Sequence, residues 1–182
     1  MVSKTMKKLN MTTQAGFDYG GIPPNLQKRG LFCLYRLERK TPDAVKPDKV
    51  PYKPDRTRAD PSNPADFCSF GEALAAYNRS GFDGIGIGCF VPIGMTDVDG
   101  CVHDGKLDEW AKEIVDELDS YTELSPSGTG IHIFFMIEDF FYDKERYYIN
   151  NRKTHVEVYV PGATHRFLTM TGQCIHGTEV ME

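Results

Sequence analysis

Apolar positions in this chain come in short blocks rather than long stripes, and each block carries its own period. Leu31 to Glu38 (LFCLYRLE) is apolar and aromatic, which predicts a first strand; Pro23-Pro24 ahead of it opens a short helical turn. In SFGEALAAYNRSG, Ser69 and Glu72 have capping-box spacing and Leu74, Ala75 and Tyr77 can face a core, so a helix is predicted over 70–79, ended by Gly81. The glycine-studded run FDGIGIGCFVPIGMTDVDG predicts two buried strands, 84–90 and 93–99, joined at Pro92. Leu107, Trp110, Ala111, Ile114 and Leu118 recur at helical spacing and place a second amphipathic helix over 106–119. Strands at 121–124 and 131–137 flank the loop SPSGTG, and a polar, aromatic connector at 138–153 leads to final strands at 154–160 and 166–171. The order is a β/α mixture ending in an antiparallel region: an α+β fold with no internal repeat.

Two stretches lack such periods. Residues 1–20 are rich in Lys, Thr and Met and are expected to form a flexible tail, leaving 21–182 as the folded unit. Residues 40–66, with Pro at 42, 47, 51, 54, 61 and 64, read as an ordered loop or basic arm. The 182 residues suit one domain or two small interlocked modules. No apolar run approaches the ~18–20 residues of a membrane helix, and the basic N-terminus lacks the apolar segment of an export signal, so a cytoplasmic protein without a membrane partner is expected. Five cysteines without a C-x-x-C pair argue against a disulfide framework and a zinc ribbon; free thiols and no zinc are expected. The net charge of −5 speaks against a nucleic-acid partner only until it is divided. Residues 1–60 hold 13 Lys/Arg against 6 Asp/Glu, and the remainder is acidic.

The candidate chemistry sits in the acidic part. Asp97 and Asp99 end an apolar strand and project from one face by its period of two, where two carboxylates repel unless a cation lies between them. Oxygen ligands favour Mg²⁺ or Mn²⁺; a bare acidic turn is the plain alternative. A calcium loop counted from Asp97 fails, because Val102 stands where the turn needs Gly and Asp108 where a bidentate Glu is needed. In Ser125-Pro126-Ser127-Gly128-Thr129-Gly130-Ile131-His132, Gly128 and Gly130 let backbone N–H groups turn toward an anion, Ser127 adds a hydroxyl and His132 opens the next strand; a simple hairpin would look the same. No G-K-[ST] follows, so this is not a Walker loop. In THVEVYV, the valines suit a core face and leave His155, Glu157 and Tyr159 on the other, with Glu157 able to approach a metal. Arg166, the nearest downstream cation, can pair with phosphate or with Glu157. Lys46, Lys49, Lys53, Arg56 and Arg58 form a basic arm suited to template or triphosphate phosphates.

These segments together resemble the primase-polymerase domain of the archaeo-eukaryotic primase superfamily, in the form found in phage and plasmid replication proteins. The likeness runs from about Ile22 to Thr178 through KVPYKP, SFGEALAAY, FDGIGIG, the Asp97/Asp99 pair, SYTELSPSGTGIH, Glu157 and RFLTMTG. The resemblance implies an N-terminal α/β module packed on a C-terminal module like an RNA-recognition motif, with the active site in the cleft between. It implies templated nucleotidyl transfer on single-stranded DNA from nucleoside triphosphates. Asp97, Asp99 and Glu157 would be catalytic and hold two Mg²⁺ or Mn²⁺ ions; Ser127, Gly128, Gly130, His132 and Arg166 would bind the nucleotide. It also implies a helicase as partner, in the same replicon or farther along the native polypeptide. Two rival functions use the same residues: a non-catalytic single-strand or origin DNA-binding module, and a metal-dependent nuclease. The nuclease would want a lysine beside the last acid, and HVEVYV offers none.

Overall fold

Burying these apolar blocks builds two antiparallel sheets and a small hairpin in the computed structural model, which describes residues 16–138, 143, 150–151 and 155–181. The elements in chain order are α1 (Pro24–Arg29), β1 (Phe32–Glu38), β2 (Asp48–Tyr52), α2 (Phe70–Asn78), β3 (Gly84–Gly88), β4 (Ile93–Val98), β5 (Val102–His103), β6 (Lys106–Leu107), α3 (Glu109–Leu118), β7 (Thr122–Leu124), β8 (Ile131–Met136), β9 (Asn150–Asn151), β10 (Val156–Tyr159), β11 (Phe167–Thr169) and β12 (Cys174–His176).

The first sheet has the order β11-β3-β1-β2. Register places Leu168, Ile87 and Phe32 in one row. That face packs against Ile22 and Leu26 and against Phe70, Ala73 and Ala76 of α2, which the Ser69–Glu72 capping box starts as the sequence predicts. The alternate positions Thr169, Gly86 and Cys33 form a row on the opposite face, on which β2 sets Lys49. Glycine at 86 keeps this face low: a Cβ there would stand 2.7 Å from the Phe167 ring.

The second sheet has the order β12-β7-β8-β4-β10-β9. Its four central strands leave the chain as β4, β7, β8 and β10 but lie side by side as β10-β4-β8-β7, with α3 carrying the chain from β4 to β7. One face buries Val98, Leu124, Ile131 and Ile133 against Ala111 and Val115 of α3. The other sends Met95, Tyr121, Phe134 and Tyr159 into the core shared with the first sheet. Because β11 is drawn from the C-terminal sequence yet pairs with β3, the two sheets interlock.

The mixed architecture agrees with the α+β reading, with several local corrections. The proline-rich segment read as a loop contains strand β2; it is an edge strand, where Pro51, lacking an N–H, is tolerated. The second helix begins at Glu109, not 106, because Lys106–Leu107 pair with Val102–His103 in a hairpin. Trp110 and Leu118, placed on its buried stripe from spacing, stay 40% and 37% exposed. Strand β12 was not predicted. His155 has φ +57° and precedes β10, so it does not share the Glu157–Tyr159 face as a strand residue. Part of the stretch expected to be a flexible tail, residues 16–20, is packed onto the fold. Residues 1–15 lie outside the described residues, but Tyr19 is buried, its hydroxyl accepts the Ile85 amide (2.8 Å), and the Asp18 amide bonds the Thr171 carbonyl (2.7 Å). Most of the 138–153 connector also lies outside the described residues. The described cysteines are free thiols, and no described helix is long and apolar enough to cross a membrane.

Candidate active site

Strand register assembles residues that are far apart in sequence into one row. Glu157 pairs with Asp97, Asp97 with His132, and His132 with Glu123 across β10, β4, β8 and β7. Paired residues share a face, so one imidazole and three carboxylates stand in line, next to the apolar row Tyr159, Met95 and Phe134.

Asp97 is the strained member. Its Oδ1 is buried with no hydrogen-bond partner, and burial is the main cause that pushes its carboxyl above the ordinary range. His132 pulls it back, Asp99 pushes it up again, and Lys49 and Glu157 follow with opposite signs. Asp99 is exposed just beyond β4, but its amide still donates to the His155 carbonyl (2.9 Å), so the ladder continues and Asp99 keeps the face of Asp97. Glu157 accepts from the Tyr159 hydroxyl (2.7 Å), and burial raises the phenol so that it keeps its proton.

His132 is 1% exposed, with Nε2 at 3.7 Å from Asp97 Oδ1 and Nδ1 at 3.5 Å from Glu123 Oε1. The preceding loop presents hydroxyls more than amides. Ser125, Ser127 and Thr129 form a hydroxyl chain with links of 2.9 Å. The Gly128 amide is already used by the Ser125 carbonyl (2.9 Å), which corrects the expectation that it is turned outward for an anion. Gly130 serves close approach: a Cβ there would lie 2.6 Å from the Val98 carbonyl oxygen, at the end of the strand that carries the two aspartates.

The basic arm does not form one surface. Lys49 is exposed along its length, but its ammonium turns inward and donates to Thr169 Oγ1 (3.1 Å). Burial lowers its pKa, and Asp97 and Asp99 raise it in part, so this charge lies within electrostatic reach of the carboxylates. Lys53 is paired with Asp66 (3.4 Å) and Arg58 with Glu38 (2.6 Å). Lys46 and Arg56 are exposed, with Arg56 beside Gly81 rather than among the carboxylates. Arg166 is exposed ahead of β11, and its charge reaches Tyr159, on the Glu157 side of the row.

Among the described residues no group of three or more His, Cys, Asp or Glu is closed into a ready metal cage. The donor set nevertheless fits a hard divalent cation: carboxylate oxygens only, like charges in mutual repulsion, and an orphaned Oδ1 on Asp97. Glu123 was not singled out from sequence. The signal was a charged residue at an inward position between Tyr121 and Leu124 in an otherwise buried strand.

No known family profile matches the chain. A curated DNA primase-polymerase of Nitratiruptor phage NrS-1 is 29% identical over 164 residues, which cover 85% of this chain and 21% of that protein. The chain therefore spans about a fifth of the length of that relative. The match bears out the resemblance to a primase-polymerase domain.

Proposed function

We propose that this chain is a primase-polymerase domain that transfers nucleotidyl groups from nucleoside triphosphates along a single-stranded DNA template. The observation that carries the reading is the row Glu157–Asp97–His132, with mutually repelling carboxylates and an orphaned Asp97 Oδ1 that a divalent cation would relieve. The sheet order β10-β4-β8-β7, with a helix after its first strand, supports reading the second sheet as the RRM-like module. The cleft then lies between its carboxylate face and the Lys49–Thr169 face of the first sheet.

Asp97, Asp99 and Glu157 would hold Mg²⁺ or Mn²⁺, which in this chemistry favours the attacking hydroxyl and neutralises the leaving pyrophosphate. The side chains themselves position and balance charge. Ser127 and Thr129 offer hydroxyl donors, and His132 offers Nε2 on the cleft side. Lys49, from the opposite wall, supplies a cation near the aspartates for the triphosphate. Arg166 stands where it can reach a phosphate near Glu157. Lys46 and Arg56, unlike Lys53 and Arg58, are left for template phosphates.

The test is synthesis on single-stranded DNA with labelled ribo- and deoxyribonucleoside triphosphates and Mg²⁺ or Mn²⁺, with and without a primer. Metal-dependent extension that D97A and D99A abolish is expected. Binding of DNA without any incorporation would favour the non-catalytic module, and metal-dependent cleavage without triphosphate would favour the nuclease.

A further inference from the structure

Behind the imidazole of His132 lies a second buried carboxylate that the proposed chemistry does not use. Glu123 has no exposed surface, and its charge is held by three donors. The Thr171 amide donates to Oε1 (2.9 Å); the Gly172 amide (2.8 Å) and the Tyr121 hydroxyl (2.9 Å) donate to Oε2. The end of RFLTMTG is thus a donor turn built around Glu123. Only glycine serves at 172, where φ is +70° and a Cβ would lie 1.7 Å from the Asp18 carbonyl oxygen.

Oε2 is filled by two donors, while Oε1 takes one and keeps capacity on the side of His132. Direct pairing of Glu123 with His132 across β7 and β8 sets Oε1 3.5 Å from Nδ1. Nδ1 makes no hydrogen bond here; the group that faces it, at ion-pair distance, is the Glu123 carboxylate, and Nε2 is left toward Asp97. Such contacts are often long before substrate binds and tighten with it.

We infer that Glu123 is a positioning residue: it fixes His132 with Nδ1–H toward β7 and Nε2 toward the cleft, where Nε2 meets the triphosphate. The inference rests on the functional reading above for the identity of that ligand. A carboxylate behind a working imidazole sets its tautomer and orientation, and loss of such a partner usually costs about 10–100-fold.

The experiment compares E123Q, Y121F and H132A in extension kinetics over a range of triphosphate concentration, and reads the His132 ring nitrogens of the unsubstituted protein by ¹⁵N NMR. The expected ring carries hydrogen on Nδ1. E123Q is expected to raise KM for triphosphate about tenfold with kcat nearly unchanged, because uniform binding is lost. Y121F removes a donor from the same carboxylate on its far side, and should lower the thermal midpoint without moving KM. H132A should raise KM at least as much as E123Q. A ring with bare Nδ1 overturns the inference, and this result stands even if E123Q does not fold. Unchanged KM in E123Q, or equal rises in E123Q and Y121F, also overturns it while H132A keeps the functional reading intact. If H132A leaves KM unmoved in an extending enzyme, both the His132 assignment and the role of Glu123 fall.

Discussion

A fully buried and a partly buried carboxylate flank one imidazole, and the fold treats them in opposite ways. On the β7 side, Glu123 accepts from two backbone amides and a phenol, with capacity left on Oε1 only toward His132. On the β4 side, Asp97 keeps an oxygen with no partner while Asp99 and Glu157 push against it. An unpaired buried charge is costly, so a sheet that supplies three donors to one acid and withholds them from the acid two strands away has left the second site open to something it does not itself contain. In the function proposed above, Glu123 supports the imidazole from behind and Asp97 takes part in the chemistry, though both lie in one row.

The comparison breaks most visibly on substitution. D97N should reduce nucleotidyl transfer by at least about 10³-fold in an extension assay, while the metal-free protein folds normally. A variant that retains normal synthesis would remove Asp97 from the chemistry. E123A should do the reverse kind of damage: it strands the donors of Thr171, Gly172 and Tyr121 and is expected to cost about 3–5 kcal/mol in a denaturant melt. A loss under about 1 kcal/mol would mean that water or a rearranged turn satisfies those donors, and that Glu123 is not a scaffold acid.

A divalent cation should separate the two sites without altering the scaffold. Mn²⁺ at a hundredfold its dissociation constant stabilises a protein that binds it only when folded by about 2.7 kcal/mol. That increment, read as a rise in thermal midpoint, should appear in the unsubstituted protein and in Y121F and vanish in D97N. The same shift in D97N would place the cation elsewhere.

Much of this site was legible in the chain, and the missing parts share a cause. The strand period placed Asp97 and Asp99 on one face, and the valines of HVEVYV turned Glu157 toward that face. Local pattern carries no register, however, so nothing in the sequence said that Asp97 stands between Glu157 and His132, or that Glu123 stands behind it. Strand β2 was hidden because proline is a loop signal everywhere except at a sheet edge, so Lys49 read as one cation of a basic arm and not as a strand residue within reach of the aspartates. The basic arm looked like one surface because charge was counted along the chain; in three dimensions Lys53 and Arg58 are taken by Asp66 and Glu38.

The smallest expected effect is also the most selective. Most carboxylates in folded proteins are stabilised as anions and lose stability as pH falls. Asp97 has the opposite sign, because burial raises its folded pKa above the ordinary 3.8, so the native state binds its proton more readily than the unfolded chain does. Its contribution to metal-free stability is therefore lost as pH rises from the unfolded value through the raised folded one, and no further change follows above that window. D97N lacks the group, so the difference in denaturant midpoint between D97N and the unsubstituted protein should grow in favour of D97N from about pH 4 upward and then level off. Glu38, held below the ordinary range by the Tyr52 hydroxyl and Arg58, provides the contrast: E38Q should lose ground relative to the unsubstituted protein as pH rises. Adding Mn²⁺, which needs the ionised carboxylate, should reverse the Asp97 slope in favour of the unsubstituted protein and leave that of Glu38 untouched. If the D97N difference is flat with pH in the presence of a chelator, the Asp97 carboxylate is already satisfied in the metal-free protein, and the contrast with Glu123 does not exist.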